Sequence, residues 1–174
     1  MASAADRRLF WGTTLGVLCL DIASKLWAEQ FLARRLPLDV LGEFLQFNLV
    51  YNKCAAFGIC LGEYSRWIFL VLAVVALFVL GSMVRHTRPG DRIRLGVLGL
   101  LCAGAAGNIV DRVRSAQGVV DFIFVNVGVG DWRWPTFNVA DSAITVGAVA
   151  LFVILWLEGK SHDAVKEAGT AAAP

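Results

Sequence analysis

Polar residues recur at helical spacing in stretches that are otherwise apolar: Asp21, Ser24 and Lys25; Asn108, Asp111 and Arg112; and Asn138 with Asp141. Side chains three and four residues apart share one face of a helix, so each set projects together. Asp21–Lys25 and Asp111–Arg112 can be read as structural ion pairs, which leaves Asp141 without a basic neighbour on its own helix. Asp121, in Gly118-Val119-Val120-Asp121-Phe122-Ile123-Phe124, is the other carboxylate without an evident partner. Two carboxylates brought close cannot both ionise; they share a proton, one acting as base and the other as acid. Such a pair activates a water for attack on an amide carbonyl. Spacing alone does not choose between Asp121 and Asp111 as the partner of Asp141.

Membrane-spanning helices must position these residues. The chain has 174 residues, 57% hydrophobic and 17% charged, against about 45–50% and about 25% for soluble domains. That balance excludes an ordinary cytosolic globule, a disordered chain, a collagen-like fibre and a disulfide-stapled mini-protein. A net charge of +2 offers no strongly basic surface for nucleic acid. The cysteines lack the CxxC spacing of zinc or redox sites. A span needs about 20 mostly apolar residues, and four stretches qualify, at about 9–27, 67–84, 95–111 and 138–157.

Orientation follows the Lys and Arg near the span ends. Arg85, Arg88, Arg92 and Arg94 between spans two and three, Arg7 and Arg8 at the N-terminus, and Lys160 and Lys166 in the tail fall on one side, expected to be cytoplasmic. The first span is read as retained rather than as a cleaved signal peptide, because its apolar run continues through Asp21 and Lys25 without an A-x-A site. The tail, 159–174, is expected to be a disordered cytoplasmic end. At about 1.5 Å per residue from Arg8 and Arg94, Asp21 and Asn108 lie about 20 Å into the bilayer. Asn138 and Asp141 open a span that descends to Leu157. All three sets therefore fall towards the outer end of the bundle. Ionisable residues in spans cost roughly 2.5–3.5 kcal/mol each on insertion scales and are functional candidates by default. A transporter or channel would spread polar residues through the depth of the bundle or carry inverted repeats. Here the cytoplasmic halves of spans two to four are almost wholly apolar, and no repeat is visible.

With these motifs the chain resembles the lipoprotein signal peptidases (signal peptidase II), four-span aspartic proteases of bacterial inner membranes. The matching runs are Asp21-Ile22-Ala23-Ser24-Lys25, Asn48-Leu49-Val50-Tyr51-Asn52-Lys53-Cys54-Ala55-Ala56-Phe57-Gly58, Gly107-Asn108-Ile109-Val110-Asp111-Arg112, Val119-Val120-Asp121-Phe122 and Phe137-Asn138-Val139-Ala140-Asp141. Each is short, but all stand in the family's order, over about residues 8–158. The resemblance implies a mostly α membrane domain over 1–158, with four helices, a small periplasmic sheet around 42–62 that cradles substrate, and a surface loop around 122–135 acting as a lid. It implies Asp121 and Asp141 as catalytic dyad, with Asn52, Asn108, Arg112 and Asn138 lining the site. Asp21, Lys25 and Asp111 would brace the helices. The implied reaction is cleavage of diacylglyceryl-modified prolipoproteins just before the lipidated cysteine, in contact with membrane lipids, by a monomer without metal or cofactor. Peptide antibiotics of the globomycin type would be inhibitors. A member that binds without cleaving is disfavoured by the intact Asp121 and Asp141.

Cys54 stands where the family commonly has glycine, and the gap from Asp111 to Asp121 is one residue longer than the family pattern suggests. Cys54 and Cys60 both face the side expected to be oxidising, which permits a disulfide; packing as two small residues is the favoured expectation. Cys19 and Cys102 are expected to pack within spans. Ala103-Gly104-Ala105-Ala106-Gly107 offers small residues for close helix approach. His86 and His162 fall on the cytoplasmic side, away from the carboxylates, as surface residues.

Overall fold

A computed structural model describes residues 3–34, 37–54, 59–127 and 134–171, with side chains described up to 160. Helix α1 runs from Ala4 to Phe31, α2 from Ser65 to His86, α3 from Arg92 to Arg114 and α4 from Val139 to Ala171. All four are long and apolar enough to cross a membrane. Strands β1 (Leu38–Leu41), β2 (Leu45–Asn52) and β3 (Val119–Val125) form one antiparallel sheet in that order.

The helix starts follow local chemistry. Ser3 and Asp6 form a reciprocal capping box at α1, which satisfies two of the backbone donors a helix start leaves unpaired. Asp6 also accepts from the Gly90 N–H at 3.2 Å, so the same carboxylate ties the N-terminus to the α2–α3 turn. Asp91 caps α3 by accepting from the Arg94 N–H.

The organising element is α3, which buries Leu95, Leu98, Leu101, Gly104, Gly107 and Asn108 along its length. Close approach there depends on missing side chains. A Cβ on Gly104 would meet the Ala140 carbonyl and Ile144 of α4, and one on Gly107 would collide with the Asp21 carboxylate of α1 and come within 3.3 Å of Ala140. By contrast α2 buries only Ser65 and leaves Val71, Leu72 and Phe78 exposed. Large apolar side chains on the outside fit a bundle whose solvent is lipid. The sheet rests on the outer end of α1 through Trp27, Phe47 and Phe122, whose rings meet edge to face at 5.6–6.4 Å.

Several expectations are corrected. The outer segment around 119–125 is a strand, so the cradle is built from two separate parts of the chain, not from 42–62 alone. The sequence cue was hidden: Val119, Val120, Asp121 and Phe122 are all buried, and a strand covered on both faces loses the alternation that announces strands. Asp121 lies in this strand, which also takes up residues 122–125 of the expected lid; of the remaining lid residues, 128–133 lie outside the described residues. Helix α4 continues to Ala171 instead of giving way at Gly159 to a disordered tail. Cys54 and Cys60 are joined in a disulfide instead of packing as free thiols, and Cys19 is exposed on the outside of α1.

Gly107→Ala should destabilise the bundle by about 1–3 kcal/mol through overpacking against Asp21. Gly12→Ala, where an added Cβ meets nothing within 4 Å, should be neutral or slightly stabilising. Thermal unfolding of the two variants in one detergent checks the contrast.

Candidate active site

Lys25 is buried to 2% exposure at the outer third of α1. Its ammonium lies 2.8 Å from Asp21 one turn earlier and 2.8 Å from Asp111 on α3. It also donates to Asn108 Oδ1 at 3.1 Å. Each carboxylate also accepts from backbone, and Asp111 Oδ1 lies 3.5 Å from Arg114 Nη2 as well. Asp21 Oδ1 accepts from the Ala140 N–H at 2.8 Å, in the first turn of α4, where helix N–H groups lack partners and the dipole favours an anion. Asp111 Oδ2 accepts from the Val120 N–H at 3.3 Å in β3. One buried charge cluster thus joins α1, α3, α4 and β3.

Asn138 is fully buried just before α4 and acts as its N-cap. Its Oδ1 accepts from the Asp141 N–H at 2.8 Å, and its own N–H donates to Asp141 Oδ2 at 3.3 Å. The Asn-x-x-Asp spacing is therefore a reciprocal cap in which both side chains have further work. The Asn138 amide donates to Asp121 Oδ1 at 2.7 Å and to the Val120 carbonyl at 3.2 Å. Asn108 Nδ2 donates to Asp141 Oδ1 at 2.8 Å. From β2, Asn52 Nδ2 donates to Asp121 Oδ2 at 3.1 Å. The turn into β3 requires glycine at 118, where φ is +98° and a Cβ would strike the Asn52 carbonyl.

Asp121 and Asp141 line one cavity of about 400 Å³, together with Asn52, Asn108 and Arg112. Burial of Asp121, and secondarily the nearby Asp141 charge, push its pKa up to about 7 against the opposing pull of its two amide donors. Arg112 does not pair with Asp111. Its Nη1 donates to the Asn108 carbonyl at 3.2 Å and its Nη2 to the Cys54 carbonyl at 3.1 Å, while its buried Nε has no hydrogen-bond partner among the described residues.

The structure thus brings together all nine residues singled out in the sequence, in two layers. Asp21, Lys25 and Asp111 form the closed cluster, and Asp121 and Asp141 face the cavity with Asn52, Asn108, Arg112 and Asn138 around them. Asp111 is engaged by Lys25 and lies off the cavity wall, whereas Asp121 shares the cavity with Asp141. Ser142 and Thr145 also line the cavity and had escaped notice. With Asn138 and Asp141 they make a polar stripe at i, i+3, i+4 and i+7 on an otherwise apolar helix, a signal present in the sequence. Arg66, whose Nε donates to the Arg112 carbonyl at 2.7 Å, had no such signal. Among the described residues, no three His, Cys, Asp or Glu side chains converge as a metal-holding group.

Fold and site define a four-helix membrane protein with paired carboxylates in an amide-lined cavity at one end of the bundle. The sequence model of signal peptidase (SPase) II matches residues 13–157. A lipoprotein signal peptidase of Methylobacterium sp. (strain 4-46) is 38% identical over 162 residues, covering 90% of this chain and 94% of its own length. One from Pseudomonas putida (strain KT2440) is 36% identical over 167 residues, covering 92% and 94%. A solved bacterial membrane enzyme superposes with a TM-score of 0.78 at 27% identity over 87% of this chain and 90% of that one. The chain belongs to the signal peptidase II family and is a multi-pass membrane peptidase.

Lys25→Met leaves Asp21 buried without a cation and Asp111 with only Arg114 Nη2 at 3.5 Å, and should cost about 3–5 kcal/mol of stability. Adding Asp21→Asn and Asp111→Asn should recover part of that loss, because the orphaned charges go with the lysine. Thermal unfolding of the single and triple variants in detergent measures both effects.

Proposed function

We propose that the protein is an aspartic endopeptidase that removes the signal peptide from diacylglyceryl-modified prolipoproteins, cutting just before the lipidated cysteine. The observation that carries this reading is the convergence of Asp121 and Asp141 on one cavity, each oriented by Asn138. Removal of signal peptides from lipoproteins is supported by the family to which the chain belongs.

Asp121, with its raised pKa, holds the proton of the pair. Asp141 takes a proton from a water held between them as the water oxygen attacks the scissile carbonyl carbon. Asp121 donates its proton to the carbonyl oxygen, so the tetrahedral intermediate forms without a free oxyanion. Asp141 then gives its proton to the amide nitrogen as Asp121 takes one back from a hydroxyl of the intermediate, so the C–N bond breaks to a carboxylic acid and a free amine and the pair returns to its starting state. Asn52, Asn108 and Asn138 hold the carboxylates, Arg112 presents its positive charge at the cavity wall to the substrate backbone, and Asp21, Lys25 and Asp111 brace the helices.

The substrate is confined to the membrane by its signal segment and its acyl chains, so entry from lipid is required. A groove of about 800 Å³ between α2 and α4, lined by Leu72, Ala76, Leu151 and Phe152, reaches Asp141 and Arg112 at its upper end and fits an apolar segment of that kind. The arginine-rich α2–α3 turn at the opposite end supports cytoplasmic termini, a catalytic end towards the periplasm and placement in the bacterial inner membrane. A monomer suffices on this reading, since every site residue comes from one chain.

Cleavage of a diacylglyceryl-modified prolipoprotein by purified protein tests the reading. Asp121→Asn and Asp141→Asn should each lower turnover by about 10²–10⁴-fold in folded protein, while Asp111→Asn retains turnover in the fraction that folds. An active Asp121→Asn beside a dead Asp111→Asn would overturn the assignment of the pair. The pH profile makes a separate claim. A carboxyl raised to about 7 holds the shared proton below that value and releases it above, so the rate should fall as pH rises through about 7. A rate that is flat from pH 5 to 9 would contradict the raised value.

A further inference from the structure

Cys54 lines the cavity, and the site uses both of its backbone polar groups. Its N–H donates to Asn52 Oδ1 at 2.9 Å, which turns the other end of that amide, Nδ2, onto Asp121. Its carbonyl accepts from Arg112 Nη2. Sheet pairing does not hold Cys54 in place, because β2 ends at Asn52. Its anchor is covalent. The bridge to Cys60 sets the two Cα atoms 4.7 Å apart across a sequence separation of 6.

Cys60 leads directly into the start of α2. There the Leu61 N–H donates to Ser65 Oγ at 2.7 Å, and Ser65 Oγ donates to the Gly62 carbonyl at 2.6 Å. One residue on, Arg66 grips the Arg112 carbonyl. The bridge and Arg66 therefore meet Arg112 from two sides, the first through the Cys54 carbonyl and the second through the arginine's own backbone. This matters because α2 buries almost nothing of itself in the bundle and needs fixing at its outer end.

We propose that the Cys54–Cys60 disulfide is a positioning element of the active site: it fixes the Cys54 backbone and through it holds Asn52 on Asp121 and Arg112 at the cavity wall. The proposal rests on the aspartic peptidase reading above. A cross-link removes freedom from the short loop it closes. Opening it lets the Cys54 N–H leave Asn52, and an amide that loses the donor on one end no longer presents the other end to Asp121. Donation from Asn52 favours the ionised form of Asp121. The charged groups facing Asp121 are Asp141 from α4, Lys25 from α1 and Arg112 from α3, and of these only Arg112 touches Cys54. An open bridge therefore lets the carboxylate pair keep its shared proton to higher pH. A bridge that served the fold alone would change how much protein is folded and leave the pH profile of the folded fraction in place.

The experiment compares oxidised full-length protein in detergent with the same preparation after dithiothreitol, which closes to its cyclic disulfide as the bridge becomes two thiols. It includes Cys54→Ala, Cys60→Ala and the double variant, all assayed on a diacylglyceryl-modified prolipoprotein across pH. Before reduction, alkylation under denaturing conditions should modify two of the four cysteines. On opening the bridge, kcat should fall about tenfold, the effect of weakening one hydrogen bond to a charged group, with KM little changed. The basic limb of the profile should move up by as much as about one pH unit. The three variants should match one another and ignore dithiothreitol, and re-oxidation of the reduced wild type should restore both rate and profile. Four alkylated cysteines in the oxidised protein, or a reduced protein with the oxidised rate and profile, would overturn the proposal alone. Oxidised wild type without any turnover would overturn the peptidase reading and the proposal with it.

Discussion

An ammonium group buried in an apolar bundle is tolerable only if opposite charge and hydrogen-bond acceptors come to it. Lys25 imposes that condition on everything around it. Two carboxylates and an amide oxygen must converge within about 3 Å of one nitrogen, and they reside on different helices. This fixes α1 against α3 in height and rotation together, because a shift of one residue would carry Asp21 or Asp111 out of reach. Gly107 is a consequence of the same demand, since a side chain there would occupy the place of the Asp21 carboxylate.

The constraint extends outward because neither carboxylate is exhausted by the lysine. Asp21 reaches the first turn of α4 and Asp111 reaches the β3 backbone, one residue before Asp121. The two carboxylates facing the cavity are thus placed by their own main chains, Asp141 by the start of a pinned helix and Asp121 by a pinned strand. Asn138 closes the loop between them. It caps α4 through Asp141 and donates to Asp121, so the geometry that begins the helix also sets the spacing of the pair. Residues held by packed and hydrogen-bonded neighbours keep a reactive geometry better than residues on free loops.

Much of this was legible because the membrane makes polar residues conspicuous. Asp21, Lys25, Asn108, Asp111, Asn138 and Asp141 stand out against apolar runs, and a helical rise of about 1.5 Å per residue brings them to one level. What spacing could not supply was which carboxylate shares the cavity with Asp141. Asp111 and Asp121 are both near in sequence to the site, and only Lys25, on another helix, decides which of them is engaged elsewhere. The strand carrying Asp121 was hidden because it is buried on both faces and reads as a plain apolar run. The Cys54–Cys60 bridge was missed for a different reason: two cysteines close in sequence permit a bond, but only the folded chain shows their Cα atoms 4.7 Å apart.

Peptide hydrolysis inside a bilayer joins two opposed requirements, water and charge at the scissile bond and an apolar exterior everywhere else. The fold meets them by separating them along the bundle axis. Below the charge cluster, α3 packs through Leu95, Leu98 and Leu101, and α2 and α4 present Phe78 and Phe152 to lipid. Above it, sheet, N-cap and bridge supply the backbone donors and acceptors that lipid cannot. The cluster at the boundary belongs to both halves: its charges pair with one another between the helices, and its spare acceptors orient the residues above. The cavity is therefore polar on one wall and shares Asn108, Arg112, Asp141 and Thr145 with an apolar groove on the other, so that a polar site and a lipid-like surface meet at the same four residues.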